Sequence, residues 1–327
     1  MNNTFGDKFR LTIFGASHAD EVGVVVEGVP KGMYLTADMF EYDLARRRPA
    51  LHGETARHEA DVPVIEELDA ESVTTGEPIR ISFKNSNIRS KDYSHLRSHP
   101  RPSHADLVQR RKYGEGYDLA GGGMASGRMT VALVAAGVVA KKILCNATFS
   151  TRLIEVGGCT NADDFERVIA DAARKGDSVG GVVECRASGV DALLGEPFFD
   201  SAESIISHLL FSIPGVKGVE FGDGFAGTRK HGSERNDVII NVQGQTLTNN
   251  EGGINGGITN GNDLSLRVAI KPTPSIACQQ MTYNFDSDCV APLLIGGRHD
   301  ACIARRAAVV VEAAVAIALA DLLLRTK

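Results

Sequence analysis

Two histidines, a run of arginines and two glycine-rich turns are the residues of this chain best suited to chemistry. His18 sits in "GASHADE", just after the apolar run "FRLTIF", and His104 sits in "HPRPSHAD". Imidazole is the side chain whose ordinary pKa lets it carry a proton near neutral pH. Arg46, Arg47 and Arg48 close one helical segment, and guanidinium suits planar, two-point binding of carboxylate or phosphate. A basic helix end also has a plain structural reading, because it meets the helix dipole favourably. The glycines of "AGGG" from 120 and "EGGINGG" from 251 offer backbone N–H groups, which bind anions without any side chain. Neither is a GxxxxGK[ST] loop, so nucleotide triphosphate chemistry is not indicated. "GDGFAG" from 222 fits GxGxxG, but "TRKHGSERND" follows it and lacks the apolar periodicity of the helix that a dinucleotide motif must open. The sum of these residues points to acid-assisted departure of phosphate from a small anion.

The elements that must hold these groups can be read from periodicity. Strands "LTIF" and "VGVVVEGVP" bracket the His18 loop. "LTADMFEYDLARRR" reads as an amphipathic helix, with Thr36 at its N-cap, Met39, Phe40 and Leu44 on the apolar face, and Pro49 stopping it. Residues 50 to 125 are polar and loop-rich around the strand "PIRISF", and loops this long in a folded chain are usually functional or disordered. "AGGGMASGRMTVALVAAGVVAKKIL" passes from the glycine run into an apolar helix. Beyond it the sequence predicts strands "GGVVECRASG", "GVKGVEFG", "DVIINVQG" and "DLSLRVAIKPTPSI", with helices over "NADDFERVIADAARKG" and "SAESIISHLLFSI". No linker or repeat interrupts the chain, so residues 1–327 are read as one α/β (α+β) domain.

The 327 residues are 43% hydrophobic and carry a net charge of −6 with a pI near 5.9. That balance argues against a nucleic-acid binder relying on a basic surface. "MNNTFGDKFR" has no export pattern, which implies a cytoplasmic chain. Six cysteines without CxxC spacing read as reduced thiols, mostly small core residues. The closing segment "RRAAVVVEAAVAIALADLLLRTK" is interrupted by Glu312 and Asp321, so it reads as a buried core helix and not as a membrane span.

Taken in order, the motifs resemble the chorismate synthase family from end to end. "FGASHADEVGVVVEGVP" is similar to the family's FGESHG...DG.P block, "DLARRRPA" to DL.RRRPG, and "RSKDYSHLRSHPRPSHAD" to RSKDY...RPGHAD. "KYGEGYDLAGGGMASGRMT" resembles KYG..D.RGGGRSSARET, and "GVKGVEFGDGF", "EGGINGGITNG", "KPTPSI" and "GGRHDACIARRAAVVVEA" continue the series. The resemblance implies a β-α-β sandwich in which helices enclose antiparallel sheets, assembled as a homotetramer. It implies anti-1,4-elimination of phosphate from 5-enolpyruvylshikimate 3-phosphate to give chorismate, with reduced FMN, and with NADPH in members that reduce their own flavin.

Carried over by position, the resemblance makes His18 a proton donor beside the flavin, His104 the group that protonates the leaving phosphate, and Asp300 a group near flavin N5. Arg47, Arg48, Arg57 and Arg128 would hold the anionic substrate or a nicotinamide cofactor, and Arg298 would contact flavin or substrate. Ser126, Gly256 and the run Lys271, Pro272, Thr273, Pro274, Ser275 would line the FMN site. The chain departs from the family pattern at Ala16, Ala19, Met124, Ala125, Met129 and Pro214, all in blocks tied to flavin or substrate. A competing reading of those changes is a paralogue that binds a flavin or a shikimate-like anion without turnover.

Overall fold

The computed structural model describes residues 2–51, 53–55, 57–87, 96–114, 116–296 and 299–326. The valine-rich start forms β1 (Thr4–Phe5), β2 (Arg10–Gly15) and β3 (Glu21–Glu27), which join β4 (Val64–Glu66) and β5 (Ile79–Lys84) in an antiparallel sheet of order β1-β2-β3-β5-β4. A second antiparallel sheet, of order β6-β7-β11-β8, is built from β6 (Thr148–Val156), β7 (Gly181–Ser188), β8 (Val216–Phe221) and β11 (Leu264–Ile270). Two hairpins, β9–β10 (Ile254–Asn255, Ile258–Thr259) and β12–β13 (Gln280–Asn284, Cys289–Leu293), stand apart from these sheets.

Between the sheets lie α3 (Thr130–Ile143) and α8 (Ala304–Arg325). α3 packs on β3 and β5, α8 packs on β6 and β7, and the two helices pack on each other. The β-α-β order and antiparallel sheets agree with expectation, but the layering is the reverse of helices enclosing sheets: the two sheets enclose the helix pair. α3 and α8 are apolar on nearly every face, as helices buried from all sides must be. Their axes approach closely at Gly137, where an added Cβ would lie 2.4 Å from Cβ of Ala313. α1 (Asp38–Arg47) covers the pair, α2 (Asp106–Tyr113) follows the His104 loop, and α4 (Phe165–Arg174) and α5 (Ala202–Ser212) flank the second sheet.

α8 is long and apolar enough to cross a membrane, yet it lies buried inside the fold. Its two acids explain why it is a core helix. Glu312 accepts hydrogen bonds from Arg46 (2.7 Å) and Thr151 (2.9 Å) and pairs with Lys141, while Asp43 pairs with the same two cations. Asp321 Oδ1 accepts the backbone N–H groups of Asp7, Lys8 and Phe9 at 3.0, 2.7 and 2.9 Å, which ties the N-terminal turn to the helix. Buried carboxylates are tolerated only when charge and lone pairs are met in this way.

Three further expectations need correction. Thr36 does not cap α1; Ala37 holds that position without a side-chain hydrogen bond. "DVIINVQG" adds no strand to either sheet: Ile239 and Thr246 form an isolated bridge, and Val238, Ile239 and Ile240 stay exposed. Strand propensity in a β-branched run is expressed only where a neighbour offers a ladder, and none does here. Of the six free cysteines, only Cys185 and Cys302 are buried. "GDGFAG" bends into the single-turn α6 (Gly224–Gly227), and α7 (Gly232–Arg235) is equally short, so no dinucleotide-type helix follows.

Candidate active site

His18 lies in the loop between β2 and β3, and the loop is fixed from outside. Asn85, just after β5, donates to the carbonyls of Ala16 (3.2 Å) and Ala19 (2.7 Å), and Arg57 donates to the Ser17 hydroxyl (2.9 Å) and carbonyl (3.0 Å). The Ser17 N–H reaches the carbonyl of Gly123 at 3.4 Å, which docks this loop on the glycine run before α3. Gly121, Gly122 and Gly123 all have positive φ, 60°, 88° and 54°, a left-handed path that side chains resist. A Cβ on Gly121 would sit 2.7 Å from Nε2 of His18, and one on Gly122 would sit 3.4 Å from Cε1 of His104. Adjacent glycines therefore bring the two histidines, 86 positions apart in sequence, to one turn.

His104 is oriented from behind. Its Nδ1 is 2.7 Å from Oδ1 of Asp106 and 3.1 Å from Nη2 of Arg101. Two donors cannot satisfy each other, so the shorter contact decides the tautomer: Nδ1–H donates to Asp106, and Nε2 faces the glycine turn. Arg101 grips the same carboxylate through Nε (2.8 Å) and Nη2 (2.7 Å) and donates to Ser275 at 2.9 Å. Burial would raise the Asp106 pKa, but the hydrogen bonds from Arg101 and His104 overcome this and hold the carboxyl well below its usual range. Burial lowers the His104 pKa, and Arg101 and Lys271 push the same way against Asp106.

These groups face a cavity of about 610 Å³, within the range that holds small ligands and cofactors. Among the described residues, seven cationic side chains line it, Arg47, Arg57, Arg101, Arg128, Lys217, Lys271 and Arg306, against the carboxylates Glu59, Asp61 and Asp300. The surplus suits an anion, and Ile213, Pro214, Val216 and Ile303 add an apolar wall. The arginine triplet divides because successive helical residues turn by about 100°. Arg46 enters the Glu312 cluster; Arg47 is buried in the cavity wall and donates to Asp61, Thr130 and the carbonyls of Gly127 and Arg128; Arg48 turns outward to Glu41. Burial pulls the Arg47 pKa down to about 9.

Arg128 is different. It donates through Nε to Asn85 at 2.9 Å and through Nη1 to Asp61, while its buried Nη2 has no partner among the described residues. Asp300 lines the cavity with both oxygens 3.0 Å from Nη1 of Arg306, and it accepts the Thr55 N–H at 3.1 Å. Lys271, Thr273 and Ser275 line the cavity in an extended run after β11, joined by Pro272 and Pro274. Lys271 donates to the Ser103 carbonyl at 2.8 Å, and burial followed by repulsion from Lys217 lowers its pKa. The Thr273 hydroxyl is buried without a partner among the described residues, and Ser126 begins the turn leading to Arg128.

Of the residues expected from sequence, His104, Asp300, Arg47, Arg57, Arg128, Ser126 and the 271–275 run line this cavity, and His18 contacts its glycine wall. Arg48 and Gly256 do not line it: Arg48 pairs with Glu41, and Gly256 is exposed in the β9–β10 turn. Arg298 and positions 88–95 of the RSKDY-like block lie outside the described residues. Arg101, Asp106, Arg306, Lys217, His299, Glu59, Asp61 and Asn85 were not singled out. Arg101 and Asp106 flank His104 in "PRPSHAD", and "RHEAD" alternates charge with period two, so signals for four of them were present.

The profile of a family described as chorismate synthase matches residues 9–324. The chain belongs to the chorismate synthase family. A protein named chorismate synthase from Chitinophaga pinensis is 50% identical over 323 residues, covering 98% of this chain and 96% of its own. One of the same name from Dehalococcoides mccartyi is 42% identical, with 99% and 97% covered. A solved crystal structure of chorismate synthase superposes with a TM-score of 0.76 at 26% identity, covering 98% of this chain and 93% of that one. The fold of the family is thus shared over almost the whole chain.

Proposed function

We propose that this cavity is where the chain eliminates phosphate from 5-enolpyruvylshikimate 3-phosphate to give chorismate. By family the chain is a phosphate-eliminating carbon–oxygen lyase, and its substrate is a small molecule. The observation that carries the reading is the convergence of His18 and His104 on adjacent glycines of a cation-lined cavity. In the elimination a C–O bond to phosphate breaks, a ring hydrogen leaves and a C=C bond forms. His104 protonates the departing phosphate through Nε2. Burial and nearby cations disfavour its charged form in the free site, and an arriving phosphate dianion offsets those cations and favours it. The ring hydrogen leaves as a proton toward Asp300, held by Arg306 on the flavin side, which balances the proton that His104 gives to phosphate, and His18 would hold its proton for the reduced flavin.

The cavity fits reduced FMN in its donor set. Lys217 and Lys271 form a cationic pair, the Thr273 hydroxyl is buried and unpaired among the described residues, and apolar side chains supply a wall for a ring system. Bound there, the reduced flavin supplies electron density to a reaction with no net redox change. Lys271, Thr273, Ser275 and Ser126 would hold it. The non-catalytic paralogue is not favoured, since a relative named for the activity shares half its residues over 98% of the chain. A homotetramer belongs to the same reading, as the family resemblance implies.

The deciding experiment is an anaerobic assay with reduced FMN and 5-enolpyruvylshikimate 3-phosphate, measuring phosphate and chorismate together. Equal release of both is expected. Phosphate without chorismate, or neither from folded protein, would overturn the reading.

A further inference from the structure

An anion cavity gains nothing obvious from buried carboxylates, yet Glu59 and Asp61 line this one with 8% and 3% of their surfaces exposed. They lie on the segment 57–61, where alternation places Arg57, Glu59 and Asp61 along the same cavity wall. Glu59 holds Arg57 through Nε at 3.0 Å and Nη2 at 2.9 Å, and its other oxygen accepts Ser86 N–H at 2.9 Å. Asp61 stands between two arginines, Oδ2 taking Nη1 of Arg47 at 3.0 Å and Oδ1 taking Nη1 of Arg128. Asp61 adopts φ 49°, a left-handed conformation that Asp and Asn tolerate better than other side chains.

We infer that Asp61 is a positioning residue for substrate binding, holding Arg128 so that its Nη2, buried and without a partner among the described residues, is kept for an oxyanion of the ligand. Arg128 is 7% exposed and its remaining nitrogens are occupied by Asn85 and Asp61. Asp61 fixes one edge of the guanidinium and leaves Nη2 for a carboxylate or phosphate oxygen. The orphaned donor is then an interaction kept for the ligand, at the cost of a buried unpaired N–H in the free site. Asp61 also lowers the net positive charge of the wall, so its charge alone opposes binding. Position and charge therefore predict opposite signs for its removal.

The inference rests on the function proposed above and is tested by binding as well as turnover. Asp61→Asn keeps the size and the left-handed backbone while weakening the grip on both arginines. Titration calorimetry with 5-enolpyruvylshikimate 3-phosphate should show affinity falling roughly tenfold or more, the scale of one charge-assisted hydrogen bond. KM should rise more than kcat falls. In the Arg128→Ala background the same substitution should add under about threefold, because the group it positions is gone. Equal or tighter binding by folded Asp61→Asn, or the full loss persisting in Arg128→Ala, overturns the inference. Should Asp61→Asn fail to fold, Asp61→Glu, which keeps the charge but shifts the carboxylate outward, must reproduce the binding loss. Wild-type protein that binds the substrate without turnover sinks the function reading alone, and failure to bind it sinks both.

Discussion

A methyl group added at Gly121 tests whether the glycine turn sets His18. Both Gly121 and Gly122 have positive φ, so either alanine variant incurs the left-handed penalty of roughly 1–2 kcal/mol. In a chain this long that lowers Tm by several degrees in both. Their effects on the site differ. At Gly122 the new Cβ meets His104 at 3.4 Å, an ordinary contact, whereas at Gly121 it meets Nε2 of His18 and Oγ of Ser17 at 2.7 Å. His18 must then retreat by about 0.7 Å, and Ser17, hydrogen-bonded to Arg57, resists moving with it. Misplacement of a reacting group by about 1 Å can cost around 10²-fold in rate. Gly121→Ala should therefore lower kcat on the order of 10²-fold and Gly122→Ala by under about tenfold, at similar thermal stability. The assay is single-turnover chorismate formation under anaerobic conditions, with melting curves for both variants. Equal kcat losses, or a fully active Gly121→Ala, would refute the assigned role of the turn.

Asp106→Asn should remove the charge that favours protonated His104 and free Arg101, shifting the alkaline limb of the kcat–pH profile to lower pH and reducing turnover at pH 7 by about 10- to 100-fold; an unshifted limb contradicts the orientation. Lys271→Ala and Thr273→Val should each weaken FMN about tenfold by fluorescence titration while leaving the circular dichroism spectrum unchanged; unaltered affinity would move the flavin site elsewhere. Glu312→Ala should destabilise by about 3–5 kcal/mol in urea titration, because Arg46 and Lys141 lose their buried partner. Burial raises the Glu312 pKa, but Arg46 and Lys141 outweigh it and bring the value below 4.5. The group's stabilisation is thus present above that pH and is lost as pH falls through its lower folded value, so the gap between wild type and Glu312→Ala should narrow there.

The valine-rich and alanine-rich runs determined β2, β3, β7, α3 and α8, since burial on all sides demands apolar residues at every turn, whereas β6, with polar residues alternating along it, went unread and "DVIINVQG" found no ladder to join. Motif order likewise determined the family, and with it part of the cavity wall. Position along the chain could not say that His18 and His104 meet, because their proximity depends on a turn of three glycines that both loops approach from different elements. Nor could it divide Arg46, Arg47 and Arg48 among an ion cluster, a cavity wall and the outer surface, which helix rotation and the placement of Glu312, Asp61 and Glu41 decided. Asp61 illustrates the remaining distance: as a letter it is one acid in a polar loop, and only its seat between two buried arginines makes it part of the site.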